Sequence, residues 1–305
     1  MKSSRITAVA IALLGAALAT AGCGFGAGEQ VGEVELTVTR DFGAEPVTGV
    51  VVDDAAESDT VMRVLDRNAE IATRYGGGFV QSIDGVSGAV ENGRRYDWFF
   101  YVNGIESSVG AADYPLRGGE AIWWDYRDWS AAARVPAVVG SWPHPFVDGY
   151  DGEEHPVAVE CLGGETACTV VRERLEEVGV SPAAGSPDDA IQVLVGPWDR
   201  VRGAPAAAQI EAGPQVSGVF GEFIQRGPRF GLLGLDESGE AAQTFGIGTG
   251  LVAATRRYDG PPVWVVTGTD GAGVRAAAEL LDTAELRDHY AVAVEGEETT
   301  PLPVR

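Results

Sequence analysis

Alternation of apolar and polar residues predicts an N-terminal unit made of strands and one helix. Val34, Leu36 and Val38 alternate with polar residues, which is the period-two pattern of a half-buried strand. A helix is predicted over residues 60–70, where Asp59 stands in a capping position before an apolar face. Strands are predicted over residues 34–38, 47–52, 79–83, 97–102 and 121–126. The pattern therefore predicts a small α+β unit that ends near residue 129.

Beyond residue 150 the pattern changes to strands that alternate with helices. Strands are predicted over residues 157–160, 191–195, 216–224, 229–235, 263–267 and 289–294. Helices are predicted over residues 166–178, 204–211, 250–257 and 274–281. This alternation is typical of a three-layer α/β domain over residues 151–305. Residues 130–150, rich in Pro, Gly and aromatic side chains, are predicted to be an ordered connector, and residues 295–305 a frayed acidic tail.

The N-terminus predicts an exported, lipid-anchored protein. Lys2 and Arg5 precede an apolar run over residues 6–19, which suits a signal peptide and is too short for a membrane span. Thr20-Ala21-Gly22-Cys23 resembles a bacterial lipobox. We therefore expect a lipoprotein signal peptide over residues 1–22 and diacylglycerol and palmitate on Cys23. A flexible tether is predicted over residues 23–32, with the protein on the extracytoplasmic face of the cell membrane. The alternative is an ordinary secretory signal in which Cys23 is incidental.

Composition excludes several functions. Among 305 residues, 45 acidic side chains against 22 basic ones give a formal net charge of -23. Such acidity disfavours nucleic-acid partners, because phosphate binding needs clustered Lys and Arg. Lys2, the only lysine, lies in the predicted signal peptide. A processed chain therefore has no lysine for Schiff-base, P-loop or general-base chemistry.

Cys161 and Cys168 remain if Cys23 carries lipid. An even pair in an oxidising compartment favours a disulfide. A metal site that adds His144 and His155 is the alternative, although their spacing matches no zinc pattern.

Two segments carry a family resemblance. Residues 97–104 read Asp-Trp-Phe-Phe-Tyr-Val-Asn-Gly, and residues 116–124 read Leu-Arg-Gly-Gly-Glu-Ala-Ile-Trp-Trp. Together with Asp59-Thr60-Val61 and residues 75–85, they resemble the domain shared with the C-terminal part of transcobalamin and intrinsic factor. The resemblance covers about residues 33–129, roughly a third of the chain.

The resemblance implies the soluble-ligand-binding branch of the β-grasp fold, in which a sheet wraps around one helix. The fold class is thus expected to be an α+β β-grasp-like N-terminal domain followed by an α/β three-layer C-terminal domain. In the vertebrate relatives this domain closes over one face of cobalamin, while a separate helical domain supplies the rest of the site. That helical domain has no counterpart in this sequence. The implied partner is therefore a small-molecule ligand, with a corrinoid as one candidate.

The aromatic strand also predicts candidate site residues. Because adjacent strand residues point to opposite faces, Trp98 and Phe100 should share one face, with Phe99 and Tyr101 on the other. One face is core, and the second is either an open aromatic platform for a planar ligand, sugar or peptide, or a surface covered by residues 142–146. The ligand-binding candidates are Tyr75, Gly77, Phe79, Trp98, Tyr101, Asn103, Trp123 and Trp124.

Support for catalysis is thin. The chain has three histidines and neither a G-x-S-x-G elbow nor an H-E-x-x-H motif. Residues 267–273 join a strand to a helix, and they are either a tight turn capped by Asp270 or an anion site. Residues 148–155 collect oxygen ligands without the spacing of a calcium loop. We expect no enzyme activity, no metal and no cofactor, with an exported carboxylate hydrolase as the weakest alternative.

The expected function is a membrane-anchored extracytoplasmic lipoprotein that binds a small soluble, cofactor-like ligand and presents it to an uptake transporter. The alternative is a non-catalytic structural or adhesion module of the cell envelope that binds polymer or protein.

Overall fold

The computed structural model describes residues 29–258 and 260–305, and the predicted signal peptide and Cys23 lie outside the described residues. The fold is mixed α/β with mostly strands, arranged in several sheets. No helix among the described residues is long and apolar enough to cross a membrane.

The N-terminal half contains nine strands and one α-helix within the described residues. In chain order they are β1 (Gln30–Arg40), β2 (Glu45–Ala56), α1 (Val61–Asn68), β3 (Ile71–Arg74), β4 (Phe79–Ile83), β5 (Val86–Ser87), β6 (Ala89–Glu91), β7 (Arg94–Val102), β8 (Ile105–Glu106) and β9 (Ala121–Asp128), with a short 3-10 turn over Tyr75–Gly77. The main sheet has the order β2-β1-β9-β7-β6, with β8 paired to β7, and β3-β4-β5 form a small second sheet. Strand β1 runs parallel to β9. The predicted flexible tether over residues 23–32 is wrong at its C-terminal end, because β1 already begins at Gln30.

Helix α1 fills one face of the main sheet. Its N-cap is Thr60, whose side chain accepts the N–H of Arg63, whereas the predicted cap Asp59 instead takes a bidentate contact from Arg67. Val61, Val64 and Leu65 are buried in a hydrophobic cluster that also contains apolar residues of β1, β7 and β9. Burial of this apolar face fixes the helix against the sheet.

A tight hairpin joins β7 to β8, as the sequence predicts. Asn103 and Gly104 both have positive φ, 52° and 76°, which suits the turn type that matches strand twist. The buried Asn103 side chain donates to the Gly149 carbonyl at 2.9 Å and accepts the N–H of Ala121 at 2.8 Å. It therefore ties the hairpin to the connector and to β9.

The C-terminal half contains the remaining elements. They are β10 (Val157–Cys161), α2 (Glu165–Glu177), β11 (Ile191–Pro197), α3 (Trp198–Val201), α4 (Pro205–Glu211), α5 (Pro214–Ser217), β12 (Gly221–Arg226), β13 (Arg229–Leu235), β14 (Ala241–Phe245), β15 (Gly250–Arg256), β16 (Pro262–Gly268), α6 (Gly271–Glu279), α7 (Thr283–Leu286), β17 (Ala291–Glu295) and β18 (Glu298–Leu302). The large sheet has the order β10-β11-β16-β15-β17-β18, and β12-β13-β14 form a separate sheet. Strands β10, β11 and β16 are parallel, and the other three are antiparallel. Apolar residues of α2 and α6 pack in one cluster and those of α3 and α4 in another, so that helices contribute to two separate cores around this sheet.

Three predictions in this half are wrong. Residues 250–257, predicted as a helix, form the buried strand β15, whose continuous apolar run reflects burial on both faces. The strand predicted from residue 216 begins only at Gly221, because α5 ends at the left-handed Gly218. The predicted frayed tail instead forms β18, which pairs with β17 and buries Leu302.

A buried polar network joins the two halves. Asp125 Oδ1 accepts the Thr39 hydroxyl at 2.6 Å and the Gly43 N–H at 3.2 Å. Its Oδ2 accepts the Tyr290 hydroxyl at 2.9 Å, and Tyr101 donates to Tyr290 at 3.3 Å. Burial raises the pKa of Asp125 to about 6. One side of the main sheet is therefore closed by residues of the C-terminal half.

Candidate functional site

An open cavity of about 600 Å³ lies beside α1 on the main sheet. Its apolar wall is formed by Met62, Phe79, Val80, Trp98, Phe100 and Trp124, and its polar rim includes Glu106, Ser107, Ser108 and Arg134. We call this cavity the aromatic groove. Its volume falls in the range of ligand pockets, and apolar walls with few polar groups are typical of small-molecule sites.

The wall on the sheet is fixed by packing. Phe100 and Trp124 are direct cross-strand partners on β7 and β9, and their rings stack with centroids 5.0 Å apart. The indole N–H of Trp98 donates to the Val86 carbonyl at 2.8 Å, which fixes that ring as well. A preformed wall lowers the ordering cost of binding a flat apolar molecule.

The opposite side of the groove is more exposed. Phe79 is 40% exposed at the start of β4, just after the turn Tyr75–Gly77. Gly76 and Gly77 have φ of 72° and 98°, so this turn uses backbone that favours glycine. Tyr75 is 86% exposed, and its ring lies 6.3 Å from that of Phe79. Phe79 is thus an exposed aromatic side chain on the groove, and Tyr75 is exposed in the neighbouring turn.

The rim carries one ion pair. Arg134 Nε lies 2.7 Å from Glu106 Oε2, which joins the connector to the end of β8. The Ser107 hydroxyl donates to the Val109 carbonyl at 2.9 Å. Because the two charges neutralise each other, the rim favours neither cations nor anions.

The structure brings together three of the eight predicted site residues. Phe79, Trp98 and Trp124 line the aromatic groove. Tyr75 and Gly77 lie in the neighbouring turn. The predicted face separation also holds, since Trp98 and Phe100 pack on the α1 side and Tyr101 on the other.

The remaining predicted residues lie in the interior. Tyr101 and Trp123 are buried in a cluster with Phe42 and Tyr290, so their face of the sheet is not an open platform. That face is covered by residues of the C-terminal half such as Tyr290, whereas Trp142 and Phe146 of the connector pack on Trp264. Asn103 is buried and holds the hairpin.

Sequence reasoning missed several groove residues, among them Phe100, Met62, Glu106 and Arg134. Phe100 could have been predicted as a site residue, because strand alternation puts it on the same face as Trp98. Met62 reads as an ordinary core position on α1. Glu106 and Arg134 lie 28 positions apart and meet only because the connector returns to the hairpin.

The other predicted motifs have structural roles. Cys161 and Cys168 form a disulfide between β10 and α2. His144 Nδ1 lies 2.6 Å from Asp148 Oδ2, and the ring of His155 stacks on Tyr150. No group of three or more His, Cys, Asp or Glu residues is placed to hold a metal ion within residues 29–258 and 260–305.

The loop at residues 267–273 has a capping role. Asp270 is the N-cap of α6, and its carboxylate accepts the N–H groups of Ala272 and Gly273, each at 3.0 Å. The interpretation of this loop as a tight turn is confirmed.

The half that bears the groove is a mixed sheet with one helix on one face. Residues 58–128 match the family described as Domain of unknown function (DUF4430), inside the predicted unit of residues 33–129. No curated protein matches the chain.

Two solved structures are similar to part of the chain. One, from Ruminococcus gnavus ATCC 29149 and described as a "putative metal binding protein", is 16% identical, with 32% of this chain and 97% of that chain covered and a TM-score of 0.25. The other, haptocorrin in complex with Cbi, is 17% identical, with 33% of this chain covered and a TM-score of 0.25. This chain spans 26% of the haptocorrin chain.

Proposed function

We propose that this protein is a non-catalytic binding protein, anchored by lipid on the extracytoplasmic face of the cell membrane. It takes the planar apolar part of a small ligand into the aromatic groove and presents that ligand to an uptake transporter. The observation that carries the proposal is the groove itself, with stacked Phe100 and Trp124 on one side and exposed Phe79 on the other.

The groove supports a ligand with a flat apolar body. Aromatic rings gain from offset stacking as well as from burial, and ring pairs contribute about 0.5–1.5 kcal/mol beyond area. Phe79 is free enough to adjust to a ligand, whereas Trp98 is held by its hydrogen bond to Val86. The match to haptocorrin in complex with Cbi makes a corrinoid one ligand to include in a screen.

A neutral fluorescent probe tests the groove. We expect N-phenyl-1-naphthylamine to bind the wild-type protein and Phe79→Ala to raise its Kd about fivefold, the effect of about 1 kcal/mol of lost ring contact. The matched control is Val51→Ala, which removes an exposed apolar side chain from β2. Absence of saturable binding, or equal weakening in both variants, would refute the groove as the ligand site. Mass spectrometry of ligand retained through mild purification then identifies the natural ligand.

Anchoring has a separate test. Wild-type protein is expected to incorporate labelled palmitate and to partition into detergent, and Cys23→Ser is expected to do neither. Equal partitioning of the two proteins would contradict lipid attachment at Cys23.

An envelope adhesion role is the second candidate. Strand β2 lies at the edge of the main sheet and exposes Val47 and Val51, and an open edge is a template for pairing with another chain. Sedimentation with purified envelope polymer, unchanged by Phe79→Ala and abolished in β2 variants, would favour this role over the groove.

A further inference from the structure

A second cavity of about 260 Å³ adjoins the aromatic groove. Phe79 lines both cavities. The second cavity is also lined by Arg74 at the end of β3, by Arg95 on β7 and by Trp129. We call it the arginine pocket. The two cavities therefore share Phe79, and the second one is lined by two arginines.

Neither arginine has a carboxylate partner within residues 29–258 and 260–305. Other arginines of the N-terminal half are ion-paired, among them Arg40, Arg67 and Arg94. In a chain with 45 acidic and 22 basic residues, Arg74 and Arg95, which have no ion pair in the described part of the chain, place two guanidinium groups beside one small cavity. This arrangement leaves positive charge available to an anion.

The geometry of Arg95 suits anion binding. Its guanidinium lies 4.3 Å from the centroid of the Trp129 ring. Such stacking holds the planar group while its N–H donors remain in plane for a carboxylate or phosphate oxygen. Trp129 thus acts as a positioning residue for Arg95.

One acid faces the same cavity. Asp97 lines it, and its Oδ1 accepts the N–H of Trp98 at 2.9 Å. Burial raises the pKa of Asp97, which disfavours its charged form. Two guanidinium groups against one carboxyl leave the arginine pocket with a positive balance.

We propose that the arginine pocket is an anion subsite, and that the ligand of this protein combines a planar apolar body in the aromatic groove with one carboxylate or phosphate-like group held by Arg74 and Arg95. This inference rests on the proposed binding role of the groove. It adds the charge class of the ligand, which the groove and its neutral rim leave open. Because the chain carries a net negative charge, most of its surface repels an anion. An anion is attracted only beside the two guanidinium groups, where their positive charge is not screened.

Two probes that share one ring system test the subsite. N-phenyl-1-naphthylamine is neutral, and 8-anilinonaphthalene-1-sulfonate has the same rings with one sulfonate, which stands in for the ligand's anion. We expect Arg74→Gln and Arg95→Gln each to raise the Kd of the sulfonate about tenfold, as the loss of a charge-assisted hydrogen bond predicts. The Kd of the neutral probe should change less than about twofold. The matched control is Arg229→Gln, which removes one exposed positive charge from β13, outside both cavities.

The outcomes separate the two proposals. If neither probe binds wild-type protein, the proposed function fails. If both probes bind and the sulfonate is insensitive to Arg74→Gln and Arg95→Gln, only the anion subsite is overturned. The subsite is also overturned if Arg229→Gln weakens the sulfonate as strongly as the pocket variants, because net charge alone then accounts for the effect. Competition of the sulfonate by acetate and by inorganic phosphate at equal ionic strength distinguishes a carboxylate ligand from a phosphorylated one.

Discussion

The buried carboxyl of Asp125 predicts that part of the protein's stability is lost as pH rises. Its pKa is raised from 3.8 to about 6 because burial penalises the charged form. Between these values the folded protein holds a proton that the unfolded chain has released. The free energy of unfolding therefore falls as pH rises from about 4 to about 6. A shift of about two units corresponds to about 3 kcal/mol at 1.36 kcal/mol per unit.

Asp125→Asn isolates this contribution. The amide retains an Oδ1 acceptor for Thr39 and Gly43, and it faces the Tyr290 hydroxyl with a donor, which that hydroxyl can accept. We expect the wild type to lose about 3 kcal/mol more stability than Asp125→Asn between about pH 4 and pH 7. Urea unfolding followed by tryptophan fluorescence measures this difference. Asp53→Asn, an exposed acid on β2, is the matched control.

The sign of the result matters as much as its size. The free energy of unfolding of the wild type minus that of Asp125→Asn should fall as pH rises and then stay constant above about pH 7. A difference that is constant across the whole range would refute the reasoning, because it would mean that Asp125 titrates alike in both states. A difference that grows with pH would show that the folded state favours the charged carboxylate.

Three further outcomes follow from buried contacts. Removal of the disulfide by Cys161→Ala with Cys168→Ala should cost about 2–3 kcal/mol in urea unfolding, and reduction of the wild type should cost about the same; no loss in either would contradict a stabilising cross-link. Leu302→Ala should destabilise by about 2–5 kcal/mol, whereas a frayed C-terminus predicts no change. Asn103→Ala leaves the Gly149 carbonyl and the Ala121 N–H without their partner and should cost about 2–4 kcal/mol, and Asn103→Asp should restore only the bond to Ala121.

Local patterns predicted most elements because each depends on neighbours in sequence. The alternation around Trp98 and the Asn103-Gly104 turn identify β7 and its hairpin without any distant contact. The helix predicted over residues 250–257 was wrong for the same reason, since a run of apolar residues has no period that separates a buried strand from a helix. Only pairing with β16 and β17 decides it.

The site was harder to predict because it depends on what covers each face. Strand alternation correctly separates Trp98 from Tyr101, but it does not say which face stays open. The face of Tyr101 is closed by Tyr290, 189 positions away. Arg134 reaches the groove rim from the connector, and no local pattern signals that return. Long-range packing thus determined the site, while short-range periodicity determined the elements.

The position of β1 has a mechanical consequence. This strand follows directly on the N-terminal residues, yet it lies inside the main sheet, antiparallel to β2 on one side and parallel to β9 on the other. A force applied at Gln30 along the strand therefore loads two ladders of hydrogen bonds in shear. An edge strand pulled sideways would instead unzip one bond at a time. Tension on the N-terminal residues is thus borne by an interior strand of the sheet, where two sets of hydrogen bonds must break together before the strand can be pulled out.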